Sequence, residues 1–361
     1  MTCALLAAAL IAASIAPTAR AASPAADDQV FPVTVQFPYG FLFLHVPTFS
    51  AAIPPRGAWE FDVGASSGNN FVFSGNVADA LVGRSSRVPM TKAEFDGIVA
   101  THPGEDAYYI DDQVSSVTAR FGRTVAPSVF VGAVVSVVRV GGGAWMDGVI
   151  EGFHESFGFV PMYRDVVPRG QATTAIHLGG YDAFLDPSVR TGIGDPIVFV
   201  KWVPERRFGA WRMSVVSGVK VPIASTSNLL STGSADFGAA YAATGELGRW
   251  WVNLNAGVVV PGNVAFLGGL NAAPMFGVAT SFGVRLDPVS LWLEFQWEQS
   301  PFRTATASGL ADDVADLVLG MRFPMGGRVR GFFAFTENLI ALSNSSDIAF
   351  HFGVTWTTRP K

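Results

Sequence analysis

The residues of this chain that could do chemistry are charged and polar side chains that alternate with large apolar ones. The segment 289–298 reads VSLWLEFQWE, and it places Glu294 four residues before Glu298. Successive side chains of a β-strand point to opposite faces, so these two carboxylates share one face with Gln296. They would stand roughly 13 Å apart at ~3.3 Å per residue, too far for the paired carboxylates of a glycosidase. The segment therefore predicts a two-faced strand and not an acid–base pair.

Other signals for catalysis or metal binding are weak. The sequence has no Gly-x-Ser-x-Gly elbow, phosphate loop, dinucleotide fingerprint or Cys/His metal spacing. Glu151 and His154 are three residues apart, but one such pair without further ligands does not make a metal site. We therefore predict no catalytic residues, no metal and no cofactor, and we keep a lipid-modifying barrel enzyme as the minor alternative.

The composition indicates a membrane β-barrel. Of 361 residues, 49% are hydrophobic and only 15% are charged, against about 25% in a typical soluble domain. After the N-terminus, no apolar run reaches the ~18 residues of a membrane helix, so the apolar residues must be spread along strands. The 39 glycines and 22 prolines argue against an all-helical chain. With a net charge of −5 and no basic patch, nucleic acid is not an expected partner.

The N-terminal part divides into two predicted segments. Residues 1–21 carry a short apolar run and end on Ala-Arg-Ala, which predicts a secretory signal peptide that would remove the only cysteine, Cys3. Residues 22–56 are apolar and interrupted by prolines, so they cannot form a central strand. The block at 39–45 (YGFLFLH) needs burial. Two interpretations stay open: a plug inside the barrel, or an edge strand or periplasmic interface segment.

Residues 57–361 predict an all-β, antiparallel up-and-down transmembrane barrel of about 12 strands, with 14 as the alternative. The connections alternate between short and long, which predicts short periplasmic turns, long outer loops and periplasmic termini. The predicted strands are 57–73, 108–122, 128–140, 195–203, 210–223, 235–244, 250–260, 275–286, 289–298, 314–323, 328–336 and 347–358. Aromatic residues recur at the periplasmic strand ends and predict an interfacial belt: Trp59, Phe121, Trp202, Trp211, Trp250, Phe323 and Trp356.

The inward faces of these strands define a hypothetical lumen with charges of both signs. Such a set can hold a closed barrel together through salt bridges, or it can line a solute path, and both interpretations stay open. The predicted lumen-lining residues are Glu60, Asp62, Arg120, Arg212, Lys220, Asn253, Asn255, Arg285, Glu294, Gln296, Glu298, Asp316, Arg322, Arg330 and His351.

One segment has helical periodicity. Apolar residues recur every four positions in 145–159, which predicts a short amphipathic helix in an outer loop. The helix would either constrict the barrel mouth or lie on the membrane surface. Its defining residues are Trp145, Val149, Glu151, Phe153, His154 and Phe157.

Several segments resemble an uncharacterised Gram-negative outer-membrane family that is known only as a domain of unknown function. The segments are 145–154 (WMDGVIEGFH), 192–195 (GIGD), 220–222 (KVP) and the phenylalanines of 350–352 (FHF). The resemblance implies a barrel in the cell outer membrane and no assigned activity. The expected partners are outer-membrane lipid and, during biogenesis, the barrel assembly machinery. The leading functional hypothesis is a channel or transporter for a small solute, gated by the N-terminal segment or by the 145–159 helix; the alternative is a non-conducting structural or envelope-interaction barrel.

Overall fold

The computed structural model describes residues 39–45, 48–157, 163–338 and 345–359, without the side chains at 144, 145, 153, 154, 157 and 308. The predicted signal peptide and residues 22–38 lie outside the described residues. In chain order the strands are β1 (Trp59–Phe73), β2 (Ala107–Ala126), β3 (Val129–Gly141), β4 (Thr173–Leu178), β5 (Tyr181–Leu185), β6 (Arg190–Ile193), β7 (Ile197–Trp202), β8 (Trp211–Lys220), β9 (Asp236–Leu247), β10 (Trp250–Val260), β11 (Asn263–Val264), β12 (Leu270–Asn271), β13 (Met275–Leu286), β14 (Val289–Glu298), β15 (Val314–Gly326), β16 (Val329–Glu337) and β17 (Ile348–Thr357).

Twelve of these strands form a closed antiparallel barrel, which confirms the predicted fold class. The order around the barrel is β1, β2, β3, β7, β8, β9, β10, β13, β14, β15, β16 and β17, and the last strand pairs with the first. Closure is in continuous register from Glu60 opposite Thr357 to Asn69 opposite Ile348. A closed sheet has no unpaired edge, so every backbone polar group within it can be satisfied inside a membrane.

The two ends of the barrel differ in their connections. Turns of two to eight residues join β2 to β3, β7 to β8, β9 to β10, β13 to β14 and β15 to β16, and we call this the short-turn end. Longer connections emerge at the opposite, long-loop end. The seven aromatic residues of the predicted belt all lie at the short-turn end with outward side chains; Trp59, Phe121, Trp202, Trp250 and Trp356 are exposed, and Trp211 and Phe323 are half-buried.

The long loops contain structure that the sequence analysis missed. The polar stretch 74–105, between the first two predicted strands, is one of the predicted long outer loops, and it contains α1 (Gly75–Leu81) and α2 (Lys92–Thr101). The Thr91 hydroxyl accepts a hydrogen bond from the backbone N–H of Glu94 and so caps the N-terminus of α2. The helices bury Leu81 and Phe95 against the outward-facing Tyr109 of β2. This connection is therefore a packed cap on the part of β2 that extends past the barrel.

The predicted loop helix is present as α3 (Ala144–Phe157), and a fourth short helix, α4, spans Ser308–Ala311. Single 3-10 turns lie at Gly40–Leu42, Arg164–Val166 and Ala265–Leu267. In the described part of the chain, no helix has the length and apolarity to cross a membrane.

The two faces of the barrel wall have opposite chemistry. Large apolar side chains point outward and stay exposed, among them Val117, Phe282, Leu319 and Phe352, with Leu319 57% exposed. Such a continuous apolar band would drive a soluble protein to aggregate, but it suits contact with lipid. Charged and amide side chains point inward and are buried. The barrel is therefore of the transmembrane type.

Near the short-turn end, rings and glycines fill the interior together. Trp251 lies over Gly283 of the paired strand, and Trp292 lies over Gly320 in the same way. Any Cβ at Gly320 would stand 2.1 Å from the Trp292 ring, so only glycine fits under it. Alternating large and small inward residues is how a narrow barrel fits its side chains to the available width. The same arrangement recurs with Phe130 over Gly122, Phe199 over Gly132 and Phe332 over Gly353.

Candidate solute path inside the barrel

The described N-terminal residues, 39–45 and 48–56, run through the barrel interior. Tyr39, Phe43, Leu44 and Phe49 are at most 6% exposed. Their backbone has no strand partner, because the prolines of this segment prevent a continuous ladder. A buried backbone without a ladder must find other partners, and the inward side chains of the barrel supply them. We call these residues the plug segment.

The first anchor of the plug segment is a charge network at the long-loop end. The ammonium of Lys220 lies 3.0 Å from Asp236 and 3.5 Å from Asp195, and all three side chains are almost fully buried. Lys220 also donates to the carbonyl of Leu42. Asp236 accepts the backbone N–H of Leu44 at 2.8 Å. One buried ion network thus holds the plug segment to two barrel strands, β8 and β9.

The second anchor is a pair of amides on β10. Asn255 accepts the N–H of Phe49 at 3.0 Å, and Asn253 donates to the Phe49 carbonyl at 2.7 Å. Together the two asparagines give Phe49 the hydrogen bonds that a neighbouring strand would give. The hydroxyl of Thr244 then accepts the N–H of Ala51 at 2.8 Å.

The opposite wall holds the plug segment through carboxylates of β14. The hydroxyl of Thr48 donates to Glu294 at 2.9 Å, and His45 contacts Glu298 at 2.5 Å. Glu294 also receives hydrogen bonds from Ser281 and Gln296, so both oxygens of this buried carboxyl have donors.

The third anchor lies toward the short-turn end. Lys201 donates to two backbone carbonyls of the plug segment, those of Ser50 and Ala52, each at 2.5 Å. Thr124 donates to the Pro54 carbonyl at 2.8 Å. The plug segment is thus attached along its described length.

A separate charge cluster braces the wall at this end. Arg120 on β2 donates to Asp62 at 2.5 Å and to Glu60 at 3.1 Å, both on the adjacent β1. All three are buried, and Arg120 lines the cavity described next.

A cavity of about 200 Å³ remains between the plug segment and one side of the barrel. Its wall is formed mainly by β2, β3, β7 and β8, with smaller contributions from β9, β10 and β14. The lining side chains include hydroxyls, glycines and valines, together with Phe199 and the charged Arg120, Asp195 and Lys220. Thr118 and Ser136 face each other across β2 and β3 with their hydroxyls 2.8 Å apart. The cavity lining extends along β2 from Val114 to Arg120, roughly 20 Å at ~3.3 Å per residue. This volume holds a few water molecules or one small solute.

The predicted lumen-lining residues occupy inward positions, but they do not form one site. Lys220, Arg120 and Gln296 line the cavity. Glu60, Asp62, Asn253, Asn255, Glu294 and Glu298 act on the plug segment or on Arg120. The remaining residues are Arg212 and Arg285 near the short-turn end, with Arg285 3.6 Å from Glu246, Asp316 opposite Gln296 and beside Ser345, and Arg322, Arg330 and His351 on the β15–β17 wall.

His351 lacks the surroundings of a catalytic histidine. Its ring nitrogens contact the hydroxyls of Ser66 at 2.8 Å and Thr336 at 2.9 Å, inside the barrel. In a nucleophilic triad a carboxylate or amide oxygen orients the histidine, whereas here the second ring nitrogen contacts the Thr336 hydroxyl. Within the described residues, no three histidine, cysteine, aspartate or glutamate side chains come together as a metal site.

Helix α3 lies on the outer wall of the barrel, so the interpretation that it constricts the mouth is wrong. Its Met146 and Ile150 pack against the outward-facing Ile348 of β17. Apolar residues of the helix find an apolar partner on that outer wall. The half-exposed Val149 points away from this contact. The side chains of Trp145, Phe153, His154 and Phe157 lie outside the described part of the helix.

Two arginines fix α3 to its surroundings. The carboxylate of Glu151 is 3.0 Å from Arg87 and also contacts Arg169. Burial raises the pKa of the Glu151 carboxyl, but hydrogen bonds from Arg169 and Arg87 outweigh it, so the pKa lies below its ordinary value. The Glu151 and His154 pair therefore carries no metal-site argument, since Glu151 is engaged by cations.

Several residues that shape the interior were not predicted. Lys201, Asp195 and Asp236 hold the plug segment or its anchor, and Trp251 and Trp292 fill the space. The alternation of side chains along each predicted strand puts all five on inward faces. Lys201 lies on a strand with no clear alternation of apolar and polar residues in the sequence, and the two tryptophans are apolar residues on inward faces that are otherwise polar.

The sequence of this chain matches a known protein family. A family described as "Protein of unknown function (DUF3187)" matches residues 98–357. The chain belongs to this family. The DUF3187 match takes in every barrel strand except β1 and stops short of the plug segment, and it confirms the resemblance noted from the sequence. With its closed barrel and apolar exterior, this DUF3187 member is an outer-membrane β-barrel. A comparison with curated proteins found no match.

Solved structures of similar shape include three outer-membrane proteins. The COG4313 outer membrane channel from Pseudomonas putida has a TM-score of 0.48 at 8% identity, over 85% of this chain and 97% of that one. The toluene transporter TodX from P. putida has 0.37 at 9%, over 86% and 91%. Outer membrane phospholipase A from Escherichia coli has 0.35 at 13%, over 82% and 89%. At TM-scores below 0.5, these likenesses say nothing about what this chain does.

Proposed function

We propose that the protein is an outer-membrane channel for small uncharged solutes, which pass beside the plug segment. The observation that carries the proposal is the one-sided cavity of about 200 Å³ along β2, β3, β7 and β8. On the β10–β16 side, the rings of Trp251, Trp292 and Phe332 fill the interior. On the cavity side, small and hydroxyl side chains such as Thr118, Ser136 and Gly218 leave space between Phe199 and the rings of the plug segment.

The charges along the cavity support an uncharged solute. Lys220, at its long-loop end, is neutralised by Asp195 and Asp236. Arg120, toward the short-turn end, is neutralised by Asp62 and Glu60. The ionic groups along the cavity are thus paired with one another, so an ion entering this space would lose its hydration beside groups that already have partners, and that costs several kcal/mol in a low-dielectric interior. Hydroxyls can replace part of the hydration of a small alcohol or similar molecule.

In this proposal the short-turn end faces the periplasm and the long loops face outward. The aromatic residues at the short-turn end and the difference in loop length both agree with the usual arrangement of outer-membrane barrels. The plug segment would then run from Leu42 at the outer end to Pro54 at the periplasmic end, and the end of β17 would face the periplasm.

The test is solute entry into vesicles that contain the refolded protein. We expect the wild type to admit glycerol faster than choline or acetate, which are of similar size but charged. Replacing Thr118→Phe puts a ring into a cavity of about 200 Å³, so glycerol entry should fall several-fold. The matched control is Thr280→Phe, because Thr280 is exposed on the outer face of β13.

The proposal fails if glycerol enters no faster than in protein-free vesicles. That result would favour the second candidate, a non-conducting structural barrel, which the many hydrogen bonds to the plug segment support. Equal glycerol entry through Thr118→Phe and the wild type would also count against it, since the solute would then use another route.

A further inference from the structure

A second cavity, outside the barrel, has no role in the path proposed above. A groove of about 650 Å³ runs along the outer face of β1 and β2. Small side chains form its floor, namely Ala65, Ser67 and Ser115. At its upper limit the Ser67 hydroxyl contacts the sulfur of Met146 in α3 at 3.8 Å. The groove is therefore roofed by the helix and open to the side.

The register of the strands explains the shape of the groove. Ala65 pairs with Phe352 on one side and with Val117 on the other. Phe352 in turn pairs with Phe333 of β16, so rings make one wall. Valines of β2 and β3 make the other, with Val117 opposite Val137. Small residues between two ridges leave a trough about two strands wide, roughly 10 Å, which accommodates a hydrocarbon chain.

The position of the groove relative to the membrane follows from the belt. Ser115 lies six residues from Phe121, which belongs to the aromatic belt at the short-turn end. Six residues along a tilted strand rise roughly 15 Å, within an apolar band about 25 Å tall. With the orientation proposed above, on which this inference rests, the groove faces the acyl chains of the outer leaflet. Its roof then lies close to the headgroups.

The upper rim of the groove carries a cation. Arg139 is exposed on the outer face of β3, where it lines the groove and pairs in register with Ser115. Within the described residues, no carboxylate forms a salt bridge with it. An arginine on a lipid-facing wall is costly at the membrane centre and is tolerated near the interface. There its planar guanidinium is suited to bind a phosphate through two hydrogen bonds.

Neutral polar groups complete this rim. The hydroxyls of Ser67 and Ser115 lie 2.7 Å apart, and the amide of Gln113 donates to Ser67 at 2.6 Å. Hydroxyls on a lipid-facing wall suit the ester and headgroup region better than the hydrocarbon centre. We propose that the groove binds one acyl chain of a phosphate-bearing lipid of the outer leaflet, with Arg139 contacting the phosphate.

The test is native mass spectrometry of the refolded mature protein in detergent. The protein is titrated with lipid A, as the phosphate-bearing probe, and with diacylglycerol, which has acyl chains but no phosphate. We expect the wild type to retain one lipid A and to prefer it. Ala65→Trp fills the floor and should lose the bound lipid, and Val117→Trp, at the edge of the same floor, should do the same. Thr280→Trp, five strands away on the outer face, is the matched control and should retain it.

The headgroup contact is tested separately with Arg139→Gln. This variant should still bind an acyl chain in the groove. Its preference for lipid A should fall by roughly threefold or more, which is the size expected when a partly exposed ion pair is lost. Equal retention by the wild type, Ala65→Trp and Val117→Trp would overturn the groove as the site. An unchanged preference in Arg139→Gln would overturn the phosphate assignment. Neither result depends on solute entry, so the channel proposal stands or falls independently.

Discussion

Removing the charge of Lys220 is the most direct perturbation of the plug segment. Lys220 is 1% exposed and lies among Asp195, Asp236, the Thr232 hydroxyl and the Leu42 carbonyl. Lys220→Met keeps a side chain of similar length, so little new cavity is formed. What the change removes is a cation between two buried carboxylates and one of the ties to the plug segment.

The size of the effect can be bounded from the remaining contacts. Removing one member of a buried ion pair costs about 3–5 kcal/mol, because the partner is left without compensation. Here Asp236 keeps the backbone N–H groups of Leu44 at 2.8 Å and Gly262 at 3.0 Å. Asp195 keeps the N–H groups of Ile223 and Ala224, each at 2.9 Å. Since both carboxylates keep donors, we expect the lower end, about 3 kcal/mol.

The assay is urea-induced unfolding of the protein from lipid vesicles, for the wild type, Lys220→Met, Asp236→Asn and the double variant. The double variant should be destabilised by less than the sum of the single changes, with a coupling of about 1–3 kcal/mol, because neutral Asn no longer needs the cation. The network would be refuted as an anchor if Lys220→Met lowered the free energy of unfolding by less than about 1 kcal/mol. It would also be refuted if the loss in the double variant equalled the sum of the two single losses.

Two further predictions concern packing and pH. Gly320→Ala should destabilise the barrel by about 1–3 kcal/mol, because its Cβ would meet the Trp292 ring at 2.1 Å. The control is Gly97→Ala on α2, which lies in open space and should leave the stability unchanged or raise it. The same unfolding assay measures both variants, and equal losses of stability would count against the ring-over-glycine packing. The lowered pKa of Glu151 stabilises α3 above the unfolded carboxyl pKa of about 4.3, and this contribution is lost as pH falls through the folded pKa. Amide hydrogen exchange in α3 should therefore accelerate below about pH 4 in the wild type more than in Glu151→Gln, and an identical pH dependence would remove Glu151 as the cause.

The barrel was predictable because its signal is local. A strand such as β14 shows its two faces within ten residues, and the twelve predicted strands match the twelve of the barrel to within a few residues. The long connections were less predictable. Residues 74–105 look polar when they are read alone. The helices α1 and α2 are stabilised because Leu81 and Phe95 pack onto Tyr109, which belongs to a different element, strand β2. Tertiary burial of this kind leaves little local periodicity.

The plug anchors were hidden for a different reason. The side chains that hold the segment bind its backbone: Asn253 and Asn255 bind Phe49, and Lys201 binds two carbonyls. Backbone groups are the same in every residue, so the sequence of the segment cannot show which of them are bound. The position of α3 was equally undetermined, because an amphipathic pattern shows that a helix has an apolar face but not which surface covers it.

The same contacts decide how a solute could pass the plug segment. About ten hydrogen bonds join its described residues to the barrel wall, among them those of Leu44, Thr48, Phe49 and Ala51. At about 1 kcal/mol net for each, complete release of the segment costs about 10 kcal/mol, so about one molecule in ten million is open at any time. That population is too small to carry a useful flux. The cavity beside the segment needs no such release. A solute that follows β2 and β3 has to displace side chains, namely Arg120 and the rings of Phe41 and Phe49, which pack against apolar residues of β2 and β3. Moving side chains breaks fewer contacts than releasing the whole segment, and this is why the path, rather than the removal of the plug, is the mechanism we favour.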